Sequence, residues 1–119
     1  GHSACYITDV EHVVGEVDPE LVEFVRGTDV LIYDCSYTEK EYATKVGFGH
    51  STWEAGLAVA KAAGVARFVL FHHDPSHADA AMATIEREAR AAARAMGIDA
   101  VAAREGMVLR PGEALPVAA

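Results

Sequence analysis

The run Phe68-Val69-Leu70-Phe71 leads directly into His72-His73-Asp74-Pro75, so a buried-looking strand ends in two imidazoles, a carboxylate and a proline. Strands of this kind place functional side chains at their carboxyl ends, where the chain leaves the sheet and opens a crevice. The arrangement recurs at Cys5-Tyr6-Ile7-Thr8-Asp9-Val10-Glu11-His12, with a carboxylate at the strand exit. Gly47-Phe48-Gly49-His50-Ser51-Thr52 then sets a histidine just before a capped helix. Imidazole nitrogen and carboxylate oxygen are ligands for a divalent cation, and a histidine beside a helix entrance also suits a phosphoryl group. The three stretches read as parts of one metal or phosphate centre. His72 is the better ligand of its pair, because alternation along a strand sends His73 to the opposite face.

These side chains also have plainer uses. Asp9 can be a loop carboxylate and His50 part of a helix cap, while Asp74 and His77 suit the end of a strand and the start of the next helix. Asp34, Glu11 and His12 fit either groups that orient ligands from behind or solvated loop residues. Tyr33 fits either a substrate contact or the core.

The elements that must hold these groups alternate along the chain. Ala4 to Thr8 reads as a strand. Asp18-Pro19 opens a short helix ending at Gly27, with aspartate as cap, proline in the first turn, and an apolar face of Leu21, Val22, Phe24 and Val25. Asp29 to Cys35 is a second strand, and Val30-Leu31-Ile32 suggests burial on both faces. A polar loop, Ser36 to Gly49, follows. Ser51-Thr52-Trp53-Glu54 reads as a capping box for a helix running to Gly64, and Val65 to Phe71 is the next strand. Residues 78–96 form an alanine-rich helix with Met82, Ile85, Ala89 and Met96 on its apolar stripe and Glu86, Arg87, Arg90 and Arg94 solvated. Short strands near 99–103 and 107–109 complete a βαβαβ pattern of α/β class, which places one domain over 1–110 and a mobile tail over 111–119.

Composition narrows the function classes. A chain of 119 residues, 51% hydrophobic, is long enough for one core. Its net charge of -8 argues against extended nucleic-acid binding and suits a bound cation. No apolar run spans a membrane and no signal peptide is evident. Cys5 and Cys35 sit inside strands as reduced core thiols, so the expectation is a cytoplasmic protein.

Taken together, Tyr6-Ile7-Thr8-Asp9, Asp29-Val30-Leu31-Ile32-Tyr33-Asp34 with its acidic loop, Gly49-His50-Ser51-Thr52, Ala63-Gly64-Val65, Val69-Leu70-Phe71-His72 and Gly106-Met107-Val108-Leu109 resemble the carboxyl-terminal half of a metallo-β-lactamase-fold hydrolase. The nearest branch is that of phosphodiesterases and ribonuclease Z-like enzymes, and the likeness covers nearly the whole chain. The resemblance implies half of a four-layer αββα fold. It implies that Asp9 bridges two divalent ions, zinc or manganese, that His72 is a ligand of one of them, and that His50 lies near the scissile phosphate as catalyst and substrate contact. Tyr33 stands where the ribonuclease branch usually has a histidine, which argues against tRNA processing. The family's His-x-His-x-Asp-His motif and a further ligand histidine lie upstream of anything in this sequence.

The expectation is therefore metal-assisted hydrolysis of a small phosphodiester or cyclic phosphate by an intact parent, with this chain carrying part of the site and inactive alone. An isolated half leaves an apolar sheet face, so the missing amino-terminal half or a second copy is the expected partner. A non-catalytic scaffold or dimerisation half-domain derived from the same fold is the alternative.

Overall fold

The computed structural model describes residues 1–116. The chain runs β1 (Ala4–Ile7), α1 (Pro19–Val25), β2 (Val30–Asp34), α2 (Glu39–Tyr42), α3 (Trp53–Ala63), β3 (Arg67–Phe71), α4 (Asp79–Ala95) and β4 (Asp99–Ala102). The strands form one four-stranded sheet in the order β1-β2-β3-β4, and every neighbouring pair is parallel. Right-handed crossovers that always step in the same direction put their helices on one face. Val22 and Val25 of α1, Leu57 and Ala60 of α3, and Ile85, Ala89 and Ala93 of α4 accordingly share one core with Leu31, Tyr33, Phe68, Leu70, Ala100 and Ala102.

Alternation sends Val30, Val69 and Val101 to the opposite face, where Ile32, Met107, Leu109 and Leu115 pack against them. Met107–Leu109 is thus no strand. Its residues lie over the sheet as irregular chain, because the ladder ends at the bond from Ala103 N–H to the Leu70 carbonyl. Leu115 belongs to the same cluster, so the packed unit extends beyond residue 110. Of the expected tail, residues 117–119 lie outside the described region.

Other local expectations are corrected. Thr52, not Ser51, caps α3, accepting from Ala55 N–H, because the Ser51 hydroxyl is engaged by His12 and Tyr33. Within the supposed loop 36–49 lies α2, closed by a capping box between Thr38 and Glu41. Phe24 is 65% exposed and so does not belong to the buried face of α1, and Ala93 rather than Met96 completes the stripe of α4. Glu86 is not simply solvated, since its carboxylate accepts from Ala102 N–H at 2.7 Å.

Candidate metal and phosphate site

Strand register brings the chemistry together. Ile7 pairs with Tyr33 and Asp34 with Phe71, so the chain leaves β1, β2 and β3 at nearly one level. Asp9 follows the first exit and His72 the third, while the α3 entrance brings in His50. Ligand atoms of Asp9, His50 and His72 all lie within 4.8 Å of one another. This is the carboxyl edge of a parallel sheet, where open α/β sheets form crevices. Among the described residues, Asp9 (φ 55°) and His72 (φ 60°) are the non-glycine positions with left-handed backbone. Such a conformation costs on the order of 1–3 kcal/mol and persists only where its surroundings hold it.

Asp34 does much of that holding. Its carboxylate is wholly buried, and Oδ2 accepts from Asp9 N–H and from His50 Nδ1, each at 2.8 Å. Oδ1 accepts from Ser51 N–H at 3.2 Å and Ser36 N–H at 3.3 Å. One carboxylate thereby ties the exits of β1 and β2 to the start of α3. The His50 and His72 rings stack with centroids 4.3 Å apart, and Asp9 Oδ1 lies 3.8 Å from His50 Nδ1 and 3.9 Å from His72 Nε2. Those separations exceed hydrogen bonding. The three side chains face one another without bonding directly.

Glu11 and His12 sit farther back. Glu11 accepts from Gly47 N–H and, at 3.2 Å, from Gly49 N–H, so it secures the loop that delivers His50. His12 lies between Ser51 Oγ and Glu39 Oε1, at 2.8 Å from each, and stacks on Tyr42 with centroids 4.2 Å apart. The Tyr42 hydroxyl donates to the His12 carbonyl at 2.7 Å. Both residues therefore brace the His50 loop rather than the ligand cluster itself.

Tyr33 is corrected from substrate contact to core. It is 1% exposed, and its hydroxyl meets Ser51 Oγ at 3.3 Å; burial pushes its pKa up to about 12. Burial likewise pushes the Cys35 thiol well up, in keeping with an inert core cysteine, and both cysteines are free. His73 turns away as expected, with Nε2 on the Ala103 carbonyl at 3.1 Å. Asp74 closes its own turn by accepting from Ser76 N–H at 3.1 Å. His77 does not start α4; its Nε2 meets Glu41 at 2.8 Å, and Ala78 stands at the cap position.

Sequence reasoning missed Ser36, Glu39 and Tyr42. The capping pattern Thr38-x-x-Glu41 was the available sign that 36–49 is more than a loop. The electrostatic setting is anionic. Beside the site, the Tyr37 hydroxyl is pushed up by burial and then by the negative charges of Asp74, Asp34, Glu41 and Glu11. One carboxylate and two imidazoles in such a field are a donor set that fits a divalent cation. Among the described residues no helix is long and apolar enough to cross a membrane.

Comparison with known proteins agrees with this geometry. Residues 1–73 match a family described as "Beta-lactamase superfamily domain". The ribonuclease Z of Brevibacillus brevis is 35% identical over 69 residues, covering 55% of this chain and 21% of that protein. That of Thermoplasma acidophilum is 37% identical over 60 residues, covering 50% and 19%. The matched region thus spans about a fifth of these curated relatives. Among solved structures, the metallo-β-lactamase fold protein YhfI from Bacillus subtilis superposes with a TM-score of 0.67 at 20% identity, covering 89% of this chain and 39% of that one. The fold is shared with it.

Proposed function

Because the chain belongs to the β-lactamase superfamily, we propose that it carries part of the active site of a metal-dependent hydrolase acting on phosphodiesters. The convergence of Asp9, His50 and His72 on one sheet edge supports this reading more than any other observation. Asp9 and His72 would hold divalent metal, zinc or manganese, and two ions in the intact parent. When bound, such an ion polarises a phosphoryl oxygen and acidifies water.

This chain's own residues do the rest. Asp34 is an acceptor, so His50 Nδ1 donates to it, and His50 Nε2 becomes the atom directed at substrate. From there the imidazole orients a phosphoryl oxygen or delivers a proton to the leaving oxygen. Glu11, through Gly47 and Gly49, keeps that ring from drifting.

The substrate we propose is a small phosphodiester or cyclic phosphate, since a charge of -8 disfavours a long polyanion. The ribonuclease Z relatives favour a second reading, a phosphodiester within RNA. Asp9 and His72 alone are too few donors for two ions, so the remaining ligands would come from another segment, the missing amino-terminal half. Its seat would be the part of the second sheet face around Tyr6, which stays exposed beside the segment of Met107, Leu109 and Leu115 that covers Val30, Val69 and Val101. A second copy is the competing occupant.

The 119-residue chain alone should hydrolyse bis-p-nitrophenyl phosphate negligibly with added zinc or manganese, and should sediment as a dimer or with an amino-terminal fragment. The full-length protein should turn the ester over in a metal-dependent way. Turnover by the chain alone would overturn the part-site reading. A metal-replete, full-length protein inert toward phosphodiesters would favour the non-catalytic scaffold.

A further inference from the structure

Ser36 is 2% exposed, and its hydroxyl sits among three acceptors or possible acceptors. Oγ lies 2.6 Å from the His72 carbonyl oxygen, 2.9 Å from His72 Nδ1 and 3.1 Å from Asp34 Oδ1. A serine hydroxyl has one proton to donate and lone pairs with which to accept. Neither the carbonyl nor an ionised carboxylate can donate. Two oxygens 2.6 Å apart need a proton between them, so the serine proton goes to the carbonyl, or is shared with Asp34.

The contact to His72 Nδ1 must then run the other way, with the ring donating to Ser36. A neutral His72 therefore carries its proton on Nδ1 and keeps a lone pair on Nε2, the nitrogen that faces Asp9 at 3.9 Å. The same hydroxyl holds the His72 carbonyl, and so helps to retain the left-handed backbone at φ 60° that aims the ring.

We propose that Ser36 is a positioning residue that presets His72 as an Nε2 donor, fixing both its tautomer and its backbone before any cation arrives. This rests on the reading of His72 as a metal ligand, yet the tautomer can be observed without metal. It also gives the serine a task apart from Asp34, which serves Asp9 and His50.

The test uses ¹⁵N-labelled full-length protein, metal-free, at a pH about two units above the ordinary histidine range. Long-range nitrogen–proton correlation spectra of the imidazoles report which nitrogen of His72 is protonated. The wild type and Ser36→Thr should show His72 protonated at Nδ1, and Ser36→Ala should show a mixture of tautomers. Zinc affinity, measured by competition with a chromophoric chelator, should fall about 10- to 100-fold in Ser36→Ala and recover in Ser36→Thr. A wild-type His72 protonated at Nε2 overturns the proposal without recourse to any variant. So does a Ser36→Ala protein that keeps both tautomer and affinity. If the wild type shows the Nδ1 tautomer, Ser36→Ala loses it, and neither binds zinc, the tautomer lock is supported and the metal reading of the site is refuted.

Discussion

His50 Nδ1 lies 2.8 Å from Oδ2 of Asp34, a carboxylate with no exposed surface. The pair fixes which nitrogen of His50 is spent on the protein and which is left for substrate. It also explains why Asp34 is buried at all. A buried carboxylate needs its lone pairs occupied, and backbone N–H groups of Asp9, Ser36 and Ser51 complete the set.

Asp34→Asn keeps the shape but replaces one acceptor oxygen by a donor, so the donors on one side lose their partner. Stability should fall by about 1–3 kcal/mol. Turnover of a phosphodiester by the full-length protein should fall by about 10²–10⁴, as the His50 ring loses its orientation. Thermal melting beside steady-state kinetics checks both; an unchanged melt with unchanged turnover would remove Asp34 from the account.

Gly56 lies where α3 packs tightly on the sheet. A Cβ there would stand 2.5 Å from Phe68 Cζ and 2.6 Å from Tyr33 Cδ1, both rings being buried. Gly56→Ala should therefore destabilise the fold by about 1–3 kcal/mol despite alanine's better helix propensity. Urea denaturation measures it, and a stabilised variant would mean that α3 packs differently.

Glu54 pulls the other way. Burial raises its carboxyl above the ordinary glutamate range; Oε2 accepts from Glu39 N–H at 3.1 Å, but Oε1 is buried without a hydrogen-bond partner among the described residues. A folded-state pKa above the unfolded one means that stability declines as pH rises from the unfolded value through the folded one. Glu54→Gln abolishes that decline and should be more stable at neutral pH by about 0.5 kcal/mol, partial exposure screening the charge. Denaturant midpoints from pH 4 to pH 7 on both proteins decide it, and parallel curves would refute the assignment.

Much of this architecture is legible in the sequence, because strand alternation and helix punctuation are local. Asp18-Pro19 does cap α1, and Gly64 adopts a left-handed φ of 72° at the end of α3. That Asp9, His50 and His72 are candidates is legible because Asp9 and His72 follow apolar strands and His50 precedes a cap. What local pattern could not show is which partner a side chain would choose. Ser51 looked like a cap, yet its hydroxyl serves His12, a residue 39 positions away. Phe24 fits the periodicity of α1, but the helix is seven residues long and its buried contacts are made by Val22 and Val25. Tyr33 left a choice between core and substrate, and only the strand register and the packing of α3 bury it in the core.

The division of labour among Asp9, His72 and His50 is tested most directly by metal stoichiometry, from elemental analysis, beside phosphodiester kinetics of the full-length protein. Asp9→Ala and His72→Ala should each lose bound metal and activity together, since each removes a donor from a cluster with few. His50→Ala should keep near-normal metal while turnover drops by about 10²–10⁴. Loss of metal in His50→Ala alone would reverse the roles, and unchanged metal and turnover in all three variants would contradict the site.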